Sequence, residues 1–177
     1  MQGFTAEVMI KALERLDQLL VERRLADLTL IIGGGCAMIL AHGFTLGTSD
    51  IDAIPRGLTV SELDPMIKEI SREQKLSSDW LNPYFSTFAH TLPEDYGQRL
   101  VEVFKGAKLK ALALGKEEML IMKCFAHRQK DVPHAKTLII GGADVKKVEA
   151  HIEMLQKKKI PGASHALDFL DDIQDQL

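Results

Sequence analysis

Cysteine is scarce: the 177 residues include two, Cys36 and Cys124. Both sit in apolar segments without C-x-x-C spacing, which excludes a disulfide framework and gives no sign of a zinc site. This usage fits a reducing cytoplasm, the expected location. Excess positive charge is also missing. Lys plus Arg number 22 against 25 Asp plus Glu, a net charge of −3, so the broad basic footprint of a dedicated nucleic-acid binder is absent. A polyanionic partner needs a local patch, for which Lys146, Lys147 and Lys157 to Lys159 are the one basic stretch; such a run is more often a solvated helix face. The longest apolar stretch, Leu28 to Leu40, is interrupted by three glycines and falls short of the ~20 residues that span a bilayer. Glu7 and Lys11 break up the opening segment, which lacks the layout of a secretory signal. A soluble chain without a membrane partner is expected. There is no internal repeat, and 13 Gly with 6 Pro give no low-complexity signal.

Present instead are 46% hydrophobic and 27% charged residues, ordinary globular proportions at a length suited to one domain. Residues 5 to 24 carry Val8, Met9, Leu13, Leu16, Leu19 and Leu20 at helical spacing behind a capping Thr5, predicting an amphipathic helix that packs on a sheet. Leu28 to Ile32 reads as a strand, Gly33-Gly34-Gly35 as a turn, and Cys36 to His42 as a helix closed by Gly43. Asp50 to Ile54 reads as a strand stopped by Pro55, and Ser61 opens a helix carrying Leu63, Ile67 and Ile70. A strand is expected near Tyr84 to Ala89, then a hairpin of Arg99 to Phe104 and Leu109 to Leu114, then a helix from Lys116 to about Arg128. Two or three further helices follow, separated by Gly141-Gly142 and Pro161-Gly162. The fold class is α/β (α+β), a mixed sheet flanked by helices with a helical C-terminal part.

The stretch that carries chemistry is GGGCAMILAHGFTLGTSDID, Gly33 to Asp52. Glycines let backbone approach a triphosphate and leave helix N-terminal N–H groups facing the anion. Asp50 and Asp52, alternate residues on a strand, project from one face with Cα atoms roughly 7 Å apart, placed to share Mg²⁺ or Mn²⁺. Thr48 and Ser49 either bond phosphate or shape the turn. The bland alternative is a structural connector followed by solvated acids. His42, His90, His127 and His134 show no metal-ligand spacing and read as structural or surface groups.

This pattern of apolar strand, Gly-Gly, helix and Asp-x-Asp resembles the signature of the nucleotidyltransferase fold superfamily, the DNA-polymerase-β-like enzymes. A second stretch, EEMLIMKCFAHRQKD, resembles a helix of the abortive-infection-type nucleotidyltransferase toxins and their small uncharacterised relatives, through Lys123, Ala126, Arg128, Lys130 and Asp131. With Trp80-Leu81-Asn82 the resemblance covers about residues 25–142, the core of a single domain spanning 1–177, with C-terminal helices over 143–177. It implies a metal-dependent transfer of a nucleoside monophosphate from a nucleoside triphosphate to an acceptor hydroxyl on RNA or protein, and a toxin paired with an antitoxin protein. It further implies that Asp50 and Asp52 hold the metal. Gly33, Gly34, Gly35, Thr48, Ser49, Lys123, Arg128 and Asp131 would contact nucleotide. Lys123 and Glu102 join the acids as catalytic candidates, Glu102 as a third carboxylate because it lies between valines on a predicted strand. Two departures stand out: Leu46 and Gly47 replace the Arg that these relatives place before Thr-x-Asp-x-Asp, and His134 replaces a second acid three positions after Asp131. An inactive nucleotide-binding or partner-binding module of the same fold is the alternative.

Overall fold

A computed structural model describes residues 4–45, 47–83 and 89–177. The chain divides into two compact units, Met1–Ser86 with Leu100–Leu114, and Thr87–Arg99 with Gly115–Leu177.

The first unit is built on a five-stranded mixed sheet. Its elements are α1 (Ala6–Glu22), β1 (Leu28–Ile32), α2 (Gly34–Ala41), β2 (Ile51–Arg56), α3 (Val60–Gln74), β3 (Leu81–Asn82), β4 (Val101–Lys105) and β5 (Leu109–Ala113), with strand order β3-β2-β1-β5-β4. β1 pairs antiparallel with β2 and parallel with β5; β2 pairs parallel with β3, and β4 antiparallel with β5. Thr5 caps α1 through its hydroxyl, as expected, accepting from the Val8 N–H at 3.4 Å. α1 buries Met9, Leu13, Leu16 and Leu20, the stripe that the three-and-four spacing predicts, and packs on α3 and β5.

Several boundaries differ from expectation: α2 takes in Gly34 and Gly35 and so begins two residues before Cys36. α3 begins at Val60 behind Thr59, not at Ser61, because Thr59 and Glu62 close a reciprocal capping box. β2 continues through Pro55 to Arg56, with Leu30 of β1 as the partner of Pro55, and among the described residues β3 pairs only with Ile51 and Asp52. Arg99 stands in a 3-10 turn (Tyr96–Arg99) before β4, its guanidinium held by Asp95 at 2.8 Å and by Glu118. The strand expected near Tyr84 to Ala89 falls on residues 84–88, outside those described, while Ala89 opens a 3-10 turn (Ala89–Thr91).

The second unit is helical, as the C-terminal pattern predicts: α4 (Lys116–Ala126), α5 (Val132–Ile140), α6 (Val145–Lys157) and α7 (Ala163–Asp175). α4 contacts the other three helices and is buried from Glu118 to Phe125. It stops two residues before the expected Arg128, where His127 takes a left-handed conformation (φ 37°). Among the described residues no helix is long and apolar enough to cross a membrane.

Candidate active site

The acids and the glycine turn form one packed cluster in the first unit. Asp50 precedes β2 and Asp52 is its second residue; both are half-buried, and the intervening Ile51 is fully buried. Strand alternation therefore turns the Asp52 carboxylate to the face opposite Ile51, and Asp50 stands directly before the strand. α2 starts directly after β1, with Gly33 as an N-cap that offers no side-chain acceptor to the first turn. The Gly33 N–H donates to the Asp52 carbonyl at 3.0 Å, tying the turn to the acid strand. Gly34 has φ +62°, and a β-carbon there would collide with the Asp52 carboxylate. One at Gly35 would come within 2.8 Å of the Thr48 hydroxyl. The glycines are thus required by Asp52 and Thr48 themselves, a constraint that spacing alone does not reveal.

Ser49 donates to the Asp50 carboxylate at 3.1 Å, and Thr48 bridges antiparallel to Phe4. Leu46, one of the two residues at the missing-Arg position, lies outside the described residues, and Gly47 is exposed. Burial, then the charges of Asp52 and Asp50, push the Cys36 thiol of α2 upward. Cys124, buried in α4, is pushed up to about 12 by burial. Both cysteines are packed, protonated small side chains, as their apolar surroundings suggest.

Glu102 is brought to the same face but not to the same place. The register runs Glu102 to Leu112, Leu112 to Ile31 and Ile31 to Ile54, and Ile54 shares its face with Asp52 by alternation. Three strand spacings separate β4 from β2, about 14 Å across the sheet, and Glu102 is exposed. A single ion with ligand bonds near ~2.1 Å is not reached from both ends of that span. Among the described residues no three His, Cys, Asp or Glu side chains gather in a way that would hold a metal ion.

Asn82, in contrast, does meet Asp52. β3 aligns Asn82 with Asp52, and the amide Nδ2 donates to Asp52 Oδ1 at 3.0 Å. Its neighbours fix the short strand: Trp80 is fully buried with its indole N–H on the Ile67 carbonyl at 2.9 Å, Leu81 is buried, and the Ile51 N–H donates to the Trp80 carbonyl at 2.7 Å. In the sequence Trp80-Leu81-Asn82 serves only as a mark of resemblance. A polar residue closing a buried Trp-Leu pair was the available signal.

Lys123, Arg128 and Asp131 lie in the second unit and meet each other. Lys123 is 4% exposed and Asp131 0%. The Lys123 ammonium is 3.0 Å from Asp131 Oδ1, and Arg128 donates from Nε to Oδ2 at 2.7 Å and from Nη2 to Oδ1 at 3.2 Å. The Arg128 backbone N–H also reaches Asp131 Oδ2, and His134 Nδ1 lies 3.9 Å from Oδ1. Burial alone would raise the Asp131 carboxyl, but the neighbouring His134 ring, the hydrogen bonds from Arg128 and Lys123 and the Lys123 charge hold it well below the usual carboxylate range. Burial pulls the Lys123 ammonium down against the attraction of Asp131. One carboxylate here serves two cations.

The two Asp carboxylates are hard oxygen donors on a partly exposed face, a set that fits Mg²⁺ or Mn²⁺ completed by water and phosphate oxygens. A mixed sheet with paired acids beside a glycine-opened helix defines a nucleotidyltransferase-type α/β protein. Residues 9–167 match the family model described as a nucleotidyltransferase of unknown function (DUF6036), and the chain belongs to that family. No curated protein and no solved structure matches it.

Proposed function

We propose that the protein is a metal-dependent nucleotidyltransferase that moves a nucleoside monophosphate from a nucleoside triphosphate to an acceptor hydroxyl. The observation that carries this reading is the contact of Asp52 with the glycine start of α2, which sets a metal-binding carboxylate beside a helix N-terminus suited to phosphate. Asp50 and Asp52 hold the ion, Ser49 orients Asp50, and the Gly33 to Gly35 backbone receives the triphosphate. Bound there, Mg²⁺ or Mn²⁺ supplies charge neutralisation of the triphosphate and lowers the pKa of the attacking hydroxyl. The acceptor hydroxyl gives up its proton to solvent water and its oxygen bonds to the α-phosphorus as the bond to the bridging oxygen breaks, and pyrophosphate leaves with that electron pair. Such catalysis is mostly positioning and charge stabilisation, which leaves the acceptor pocket free to vary.

Lys123 is buried against Asp131, which supports a structural role for that pair in place of the nucleotide contact expected from sequence, while Arg128, half exposed beside the same carboxylate, keeps the phosphate contact expected of it. The acceptor classes are an RNA end or a protein hydroxyl, and the biological role is that of a cytoplasmic toxin held by an antitoxin protein. The test is calorimetric titration with ATP and GTP in Mg²⁺, then pyrophosphate release over RNA and protein acceptors, with Asp50→Asn and Asp52→Asn alongside. The reading predicts metal-dependent binding and turnover, both lost in the variants. For the toxin role, induced expression should arrest growth with the wild type and not with Asp50→Asn.

A second reading, a nucleotide-binding module without turnover, is favoured by the distance of Glu102 from the acid pair. Binding without pyrophosphate release would select it. Nucleotide binding unchanged in the double Asn variant would reject both.

A further inference from the structure

We infer that Asn82 is the positioning residue of the acid pair, orienting Asp52 before any ion arrives. The inference rests on the reading of Asp50 and Asp52 as a divalent-cation site. An ionised carboxylate only accepts hydrogen bonds, so the amide must present its NH₂ to Asp52 Oδ1, as the 3.0 Å contact has it. The other Asp52 oxygen, Oδ2, lies over Gly34. The carboxylate is therefore gripped from two sides, by an amide across the strand pair and by the backbone start of α2.

The grip is held in place by the packing of β3. Trp80 and Leu81 are buried, the indole is bonded to α3, and Asn82 follows with Asp52 as its register partner. Residues paired across strands have β-carbons about 5 Å apart. A second carboxylate at that separation would repel Asp52 in the empty site. An apolar residue would leave Oδ1 without this donor. Among oxygen-bearing side chains of this length, the amide alone joins the right shape to an attractive contact in the absence of metal. Donors behind metal ligands commonly set affinity by about 10- to 100-fold through orientation.

Mn²⁺ alone is the probe, with free Mn²⁺ followed by electron paramagnetic resonance and the thermal midpoint measured with and without it. Wild type, Asn82→Ala, Asn82→Ser, Asn82→Asp and Asp52→Asn are compared. Asn82→Ala should bind Mn²⁺ about tenfold more weakly, and Asn82→Ser, which retains a donor hydroxyl, should recover part of that loss. Asn82→Asp should melt below wild type when empty and gain more from Mn²⁺ than wild type does, because the ion relieves the added repulsion. A purely structural Asn would lower the midpoints without this reversal. Mn²⁺ affinity in both Asn82→Ala and Asn82→Ser within twofold of a wild type that itself binds would overturn the inference. A wild type that binds Mn²⁺ no better than Asp52→Asn would instead remove the cation site itself and the inference with it.

Discussion

Replacing Asp131 by Asn removes one negative charge from a buried cluster with almost no change of shape. In the wild type the Lys123 ammonium, 4% exposed, has Asp131 at 3.0 Å as its ion-pair partner. Without that charge the ammonium stays buried and uncompensated, a situation that costs about 3–5 kcal/mol in comparable interiors. Removing the cation instead, by Lys123→Met, keeps the aliphatic length and leaves Asp131 with Arg128 Nε, Nη2 and backbone N–H. That change should cost about 1.5–3 kcal/mol, the scale of one lost hydrogen bond to a charged group. The double variant should therefore be more stable than Asp131→Asn alone. Urea denaturation of the four proteins measures this cycle. The pH dependence adds a sign. With its counter-charge gone, burial holds the Lys123 ammonium further below its unfolded value of about 10.4, so the unfolded chain binds more protons in between and stability rises with pH. Asp131→Asn should regain part of its loss as pH rises toward the unfolded lysine value of about 10.4, while the double variant, lacking the ammonium, should not. If Lys123→Met costs as much as Asp131→Asn, or if the double variant is no better than Asp131→Asn, the asymmetry deduced from the hydrogen bonds is wrong. Nucleotide binding by folded Lys123→Met, unchanged from wild type, would agree with the structural assignment; a large loss would return Lys123 to the phosphate.

Gly34→Ala forces a β-carbon against the Asp52 carboxylate at a backbone of φ +62°; it should cost more than the about 1–2 kcal/mol of the left-handed conformation alone, because the carboxylate must also move, and weaken Mn²⁺ binding, and wild-type affinity would contradict the packing. Asp17 of α1 accepts from the N–H groups of Ala107, Lys108 and Leu109 at 2.7–2.9 Å, so Asp17→Ala should cost about 2–3 kcal/mol by denaturation. Burial raises the Asp17 carboxyl, but the bonds from Lys108, Ala107 and Leu109 outweigh it and lower the group. Its stabilisation is complete above about pH 4 and lost as pH falls through the folded value, so Asp17→Asn should show a shallower acid limb. Glu102→Gln should leave Mn²⁺ affinity unchanged and stability within about 0.5 kcal/mol; a tenfold loss of affinity would show that Glu102 reaches the acids.

Elements whose order depends on local periodicity were legible in the sequence. α1, β1, the β4–β5 hairpin and the C-terminal helices follow from side-chain spacing, and the glycine-to-acid motif points to the family that residues 9–167 match. What was not legible depends on register. Whether Glu102 approaches Asp52 is decided by how many strands intervene, and β1 and β5 both do. Asn82 next to Asp52 is a pairing across 30 residues that rests on a strand of two residues, too short for any period. The closure of Lys123 by Asp131 depends on a 3-10 turn (Gln129–Asp131) that carries the carboxylate back toward α4.

The register and the glycine packing together show why the motif Gly33 to Asp52 is one object and not two halves at a convenient spacing. β1 and β2 are antiparallel neighbours, and Ile32 pairs with Ala53, so the residue after β1 and the residue before Ala53 are forced to the same end of the strand pair. Gly33 and Asp52 meet there and share a hydrogen bond. Any chain that leaves β1 into a helix at this point brings the helix N-terminus against whatever side chain stands at position 52. A carboxylate there gains from the positive end of α2, but only if the first helical residue has no β-carbon. The contact thus couples two selections, an acid at 52 and a glycine at 34, and a large side chain at either position disrupts the other. Tolerance to substitution should accordingly be joint. Gly34→Ala alone is expected to displace the carboxylate. Paired with Asp52→Ala it should cost only the left-handed backbone term, so the two single losses should exceed the double loss in a denaturation cycle. Additive losses would mean that the glycine serves the turn alone and that the acid is independent of it.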